Sequence, residues 1–166
     1  MRPTNRVTAS LLAGAVAIGI NTALLVAADR IPLVTARGGL LKLLTIYIGP
    51  ALSKAGAGPV WLRLGLPTPG GTTFQLNFHV LVGLLMALFY GFVLERLLPG
   101  RPWWKGTLYA AAVWAANAVV ILPWLGEGIA GSRNLSAPGM AYFAAAHTVF
   151  FVLLAVLFAG LHRPRS

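Results

Sequence analysis

Apolar residues run along this chain in four long blocks, and the stretches between them hold nearly all the charged positions. The blocks are 7–28 (VTASLLAGAVAIGINTALLVAA), 76–98, 105–126 and 139–161. A helix that crosses a bilayer core of about 30 Å needs about 20 residues, and each block supplies them. The runs are too continuous for barrel strands, which alternate with a period of two, so helices are the structure that satisfies their backbone in lipid. The pattern predicts an all-α integral membrane protein: a single membrane domain, 1–166, built as a four-transmembrane-helix bundle. The first block starts beside Arg2 and Arg6 and ends in VAAD, as a cleaved signal peptide would. Its apolar core is longer than the ~7 to 15 residues of a signal h-region, which favours a retained span.

The linker from Asp29 to Gln75 has its own pattern. In 38–53, GGLLKLLTIYIGPALS, helical spacing puts Lys42, Thr45, Gly49 and Ser53 on one side and Leu40, Leu41, Leu43, Leu44 and Ile48 over the rest. The segment is too short to span and is interrupted by Pro50, so it reads as an amphipathic helix lying in the interface, with a re-entrant segment as the alternative. GAGPVWLRLGLPTPGGTT, which follows, is rich in Gly and Pro and reads as an irregular surface segment. Trp61 beside Arg63 suits an anchor at the membrane surface.

Composition agrees with this pattern. Charged residues make up 10% of the chain, against about 25% in a soluble domain. The net charge of +10 would suggest nucleic acid as a partner in a soluble protein. Here the cations flank apolar blocks, where they meet lipid headgroups and orient helices, so no nucleic acid is expected. With the N-terminus inside, seven Lys and Arg (Arg2, Arg6, Arg96, Arg101, Lys105, Arg163, Arg165) face the cytoplasm and six face out. The inside set includes the dense turn LLPGRPWWKG, which favours both termini in the cytoplasm, with Trp103 and Trp104 at the inner interface and Trp124 at the outer one. The chain has no cysteine, which excludes disulfides, thiolate metal sites and thiol nucleophiles.

Few polar residues lie inside the blocks, and these form the candidate site: Asn21, His79, Asn117, His147 and Thr148. At ~1.5 Å per residue, Asn21, Asn117 and His147 lie roughly 10 to 14 Å below the outer face, and His79 about 5 Å below it. The first three are placed to form one polar layer, with His79 above it near Glu127. His79, Gly83, Ala87 and Gly91 repeat every four residues, so Gly83, Ala87 and Gly91 form a helix-packing seam with His79 at its top. Such Asn and His side chains often serve only as glue between helices, worth about 0.6 kcal/mol each. The other reading is a ligand pocket or proton path.

Sharper chemistries fit poorly. A metal site wants three or four ligands, and two histidines without cysteine or a mid-span carboxylate fall short. A bis-histidine haem needs both ligands at one level, whereas His79 and His147 differ by ~8 Å in depth from the helical rise. No acid sits where it would orient a histidine in a catalytic triad, and phosphate-loop and dinucleotide fingerprints are absent. No catalytic residue, metal or cofactor is therefore favoured.

HVLVGLLMALFYG in the second block, KGTLYAAAVWAANAVVILPWLG in the third and AAAHTVFFVLLAVLFAG in the fourth share an order of features: His then Gly and Tyr, a small-rich helix with Trp ending near Pro, then a second His. From Asn77 to Gly160 this order resembles small uncharacterised bacterial inner-membrane proteins of the YagU type. The resemblance implies a multi-pass inner-membrane protein without established enzymatic activity, and directs attention to His79, Gly83, Tyr90, Trp114, Pro123 and His147. The leading expectation is a non-enzymatic bundle with a polar intramembrane pocket, or an accessory subunit of a larger membrane complex. A small transporter or channel acting as a homo-oligomer is the alternative, and a haem-binding membrane protein a further one.

Overall fold

The computed structural model describes residues 5–31, 33–34, 39–67 and 71–162. Arg2, Arg37, Gly38, Arg163 and Arg165, which entered the reading of charge and of the linker, lie outside the described residues. Among the described residues every regular element is helical. Four helices are long and apolar enough to cross a membrane: α1 (Arg6–Arg30), α5 (Thr72–Leu97), α6 (Pro102–Trp124) and α7 (Ala137–Leu161). Three short helices lie between the first two of these: α2 (Gly39–Tyr47), α3 (Gly49–Lys54) and α4 (Ala57–Arg63).

The boundaries of the long helices follow local caps. Asn5 caps α1 by accepting from the Val7 N–H at 2.8 Å, and Ser136 caps α7 by accepting from Gly139. Pro102 opens α6, at a position where a missing N–H costs nothing. Helix α5 begins at Thr72, four residues before the apolar block, because the polar turn TTFQ has no helix breaker in it.

In cross-section the long helices run in the order α5, α1, α7, α6. Small residues set the spacing. Ala9, Ala13 and Ala17 of α1 are buried, as are Gly83 and Ala87 of α5. A Cβ added at Gly14 would stand 2.5 Å from that of Ala87, and one at Gly83 would stand 2.6 Å from Ile18. Between α6 and α7 the approach is to backbone: a Cβ at Gly106 would meet the Phe151 carbonyl oxygen at 2.6 Å. Small residues at these positions let the helix backbones approach closely. Tyr90, Tyr109, Phe150, Phe151, Leu154 and Phe158 fill the centre.

Two π-turns interrupt the long helices, at Tyr90–Leu94 in α5 and Asn117–Ile121 in α6. The second has a local cause. Pro123 has no N–H for the Val119 carbonyl and its ring crowds that turn, so the helix widens just upstream.

The linker departs from its expected form. The single helix expected over 38–53 is broken after Tyr47, and α3 restarts at Gly49 with Pro50 in its first turn. The segment expected to be irregular contains α4, because Gly56, at φ 72°, turns the chain and Pro59 then sits in the first turn of a helix. Trp61 donates to the Pro67 carbonyl at 2.8 Å and packs edge-on to Phe74 at 5.7 Å, tying α4 to the start of α5.

Candidate functional site

Asn21 and Asn117, two of the three residues expected to form one layer, have different surroundings. Asn21 is buried on the face of α1 that meets α7, and its amide donates to the Ala146 carbonyl at 2.8 Å. One turn further along the same contact, Tyr142 donates to the Leu24 carbonyl at 2.7 Å. Both are side-chain bonds across the α1–α7 seam. Asn117 belongs elsewhere. It opens the π-turn of α6, and its Oδ1 faces the start of α2, 4.0 Å from where a Cβ on Gly39 would stand. The layer expected from depth alone is therefore split, because equal depth does not set the direction in which a side chain leaves its helix. Thr148 is exposed and donates to the Ala144 carbonyl of its own helix at 2.8 Å, so it faces away from the packed interior.

His147 lies within electrostatic range of His79. His147 Nδ1 lies 2.9 Å from the Phe143 carbonyl, and its ring stacks at 4.1 Å on Phe143. A carbonyl only accepts, so Nδ1 is the donor in this contact. His79 Nε2 is buried. Glu127 is engaged by Lys42 of α2, with Nζ to Oε1 at 2.7 Å. No group of three or more His, Asp or Glu capable of holding a metal is present among the described residues.

An open groove of about 530 Å³ runs between α1 and α5, lined by Gly19 and Thr22 on one side and Leu76, Asn77, Val80, Leu81 and Leu84 on the other. It is a lateral, mostly apolar furrow, and Asn77 and Thr22 are its polar points. Gly19 leaves its floor open: a Cβ there would have nothing within 4 Å.

The opposite end of the bundle holds a cluster that sequence reasoning had not assembled. Lys105, at the start of α6, donates to Glu95 Oε1 at 2.9 Å and to the Glu95 carbonyl at 3.1 Å. Tyr90, fully buried, donates to Glu95 Oε2 at 2.7 Å. Arg6 of α1 donates to the Gly91 carbonyl at 2.7 Å, and the buried Ser10 hydroxyl packs on Gly91. Tyr90 and Glu95 are five residues apart, about 140° around an ideal α-helix. The π-turn between them brings both onto one side and gives Arg6 a carbonyl to bond. The available signal was an acid and a lysine just inside two span ends joined by a short turn; the π-turn itself has no sequence mark here.

Fold and site together define a class: an all-helical bundle with four helices long and apolar enough to cross a membrane, stapled by charge at one end and grooved at the other. No family model matches the chain, and neither a curated protein nor a solved structure matches it.

Proposed function

We propose that the chain is a non-enzymatic, multi-pass membrane protein, a small bundle with a polar intramembrane pocket or an accessory subunit of a membrane complex. One observation carries this reading. All four long helices turn large apolar side chains outward, among them Leu12 and Val16 on α1, Leu81 and Leu85 on α5, Val119 on α6 and Val156 on α7. Such a surface calls for lipid or for further apolar helices. The polar groups inside the bundle support the non-enzymatic part. Asn21 and Tyr142 bond to carbonyls of the facing helix, as structural glue does. The resemblance to YagU-type proteins and the dense basic turn favour a bacterial inner membrane with both termini in the cytoplasm.

The test is extraction of the full chain from its membrane with mild detergent, followed by native mass spectrometry and an absorbance spectrum of the same sample. The expected result is a protein that resists alkaline extraction and carries lipid or a defined partner subunit, without visible absorbance. A protein released by alkaline carbonate would overturn the membrane reading. A second reading, haem binding, draws on His147 lying within electrostatic range of His79. A Soret band that His147→Ala abolishes would establish it. A transporter or channel would act as a homo-oligomer, and solute flux lost in Asn21→Ala or His147→Ala vesicles would put it first.

A further inference from the structure

The Arg96–Lys105 turn carries a charge imbalance that the fold creates. The chain has three acids. Asp29 and Glu127 lie at the grooved end, so Glu95 is the one acid at this end. Both of its oxygens are turned inward, to Tyr90 and Lys105. Lys105 is buried with it, while Arg96 and Arg101 are exposed on either side of the Pro99–Gly100 turn. No ion pair to Arg96 or Arg101 is present among the described residues. Gly100 adopts φ 99°, which lets the chain reverse sharply and hold the two arginines beside the start of α6. There Trp103 and Trp104 are about half exposed, edge to face at 5.9 Å, and Leu97 is more exposed still.

We propose that this turn is a binding site for the headgroup of an anionic phospholipid. Guanidinium groups match phosphate oxygens with paired N–H donors. Exposed indoles settle at the headgroup boundary, where an apolar ring and a polar N–H are both accommodated. Leu97 faces the acyl region beneath. The inward lock on Glu95 is the selective element: an outward carboxylate would neutralise one arginine and repel phosphate. The inference rests on the membrane reading above and names the lipid class this turn selects.

The test uses full-length protein in vesicles of equal phosphatidylglycerol and phosphatidylcholine, with flotation first and native mass spectrometry of the released protein second. Failure to float would sink the membrane reading itself. For protein that floats, the expected result is adducts enriched in phosphatidylglycerol, with the enrichment falling roughly tenfold or more in Arg96→Gln/Arg101→Gln, given the usual strength of a cation near an anionic surface. Arg96→Lys/Arg101→Lys should keep part of it. Lys54→Gln/Arg63→Gln, in the linker, should keep all of it. Equal adducts of both lipids on the wild type would overturn the proposal, as would equal loss in the linker variant. Displacement of phosphatidylglycerol by millimolar inorganic phosphate would reassign the turn to free phosphate and also overturn it. All four side chains exchanged are exposed, and a thermal scan of each variant checks that the bundle is intact.

Discussion

An ion pair between described residues stands at each end of the bundle, and the shorter of these two is expected to matter less. Lys42–Glu127 closes at 2.7 Å with the lysine side chain 58% exposed, whereas Lys105–Glu95 closes at 2.9 Å with side chains 9% and 23% exposed. Contact distance does not rank them; surroundings do. The buried pair is completed by Tyr90 and a backbone carbonyl, so its polar atoms are satisfied inside the packed helices. The exposed pair ties a short helix to a loop, in contact with screening solvent. One end is thus built to be fixed. The other, with its groove between α1 and α5, is tied to its short helix α2 by a pair whose lysine is exposed.

The largest expected effect breaks the fixed end. Glu95→Ala leaves Lys105 buried without its carboxylate and Tyr90 without an acceptor. Removing one partner of a buried pair costs about 3 to 5 kcal/mol, and the partial exposure of Glu95 puts the expected loss at about 3 kcal/mol by the same comparison. Unfolding by SDS in mixed micelles measures it. The double variant Glu95→Leu/Lys105→Leu should recover part of the loss, because no orphan charge remains. A double variant as unstable as the single one would show that the pair itself, and not the stranded lysine, supplies the stability.

Next comes Gly106→Ala. The added methyl meets Phe151 and Val152 backbone atoms at 2.6 and 2.7 Å, and backbone cannot swing aside. A cost of about 1 to 3 kcal/mol is expected from overpacking. Gly19→Ala, with open space around it, is the control and should cost nothing measurable. The contrast sharpens the comparison, since one glycine holds two helices together and the other only keeps a groove floor low.

How much of this was readable beforehand follows from which physics has a sequence signal. Block length and hydropathy marked all four long helices to within a few residues, since a long continuous apolar run without breakers pairs its own backbone groups best as a helix. The i, i+4 repeat of Gly83, Ala87 and Gly91 marked a face, and that face meets α1 in the structure. Direction of approach between helices has no such signal, so Asn21 and Asn117, matched in depth, were placed together and lie apart. The π-turn at Tyr90–Leu94 was equally silent. It breaks helical periodicity, and without it Tyr90 and Glu95 belong to different sides. In the linker, Pro50 and Pro59 were read as interruptions, yet each begins a helix, because proline is tolerated in a first turn.

Asn21→Ala tests the seam that joins the two ends. It removes the donor to the Ala146 carbonyl. That carbonyl sits mid-helix in α7 and keeps its own i+4 partner, so no acceptor is stranded. The expected loss is about 0.6 kcal/mol, and at most ~1.7 kcal/mol, as for other interhelical side-chain bonds in bilayers. A loss as large as that of Glu95→Ala would mean that Asn21 supports more than this contact, and would return attention to the nearby His147.

Lys42→Ala should have the smallest effect on stability and a clear effect on motion. Its side chain is 58% exposed, so the pair contributes about 0 to 0.5 kcal/mol after screening and side-chain ordering. The partner is different: Glu127 is 12% exposed in its side chain and lies in a tight loop where Ala130 adopts φ 54°, an unusual conformation for a residue with a Cβ. Without Lys42 the carboxylate turns to water, and α2 keeps only its apolar contacts, including Tyr47 against Trp124 at 5.4 Å. Amide exchange should therefore quicken across Gly39–Tyr47 by several-fold, while amides of α1 and α7 exchange as before. Such a result would show that the covering helix is fastened separately from the bundle beneath. Unchanged exchange in α2 would mean that its leucines alone hold it, and the two ends would then differ in charge but not in freedom.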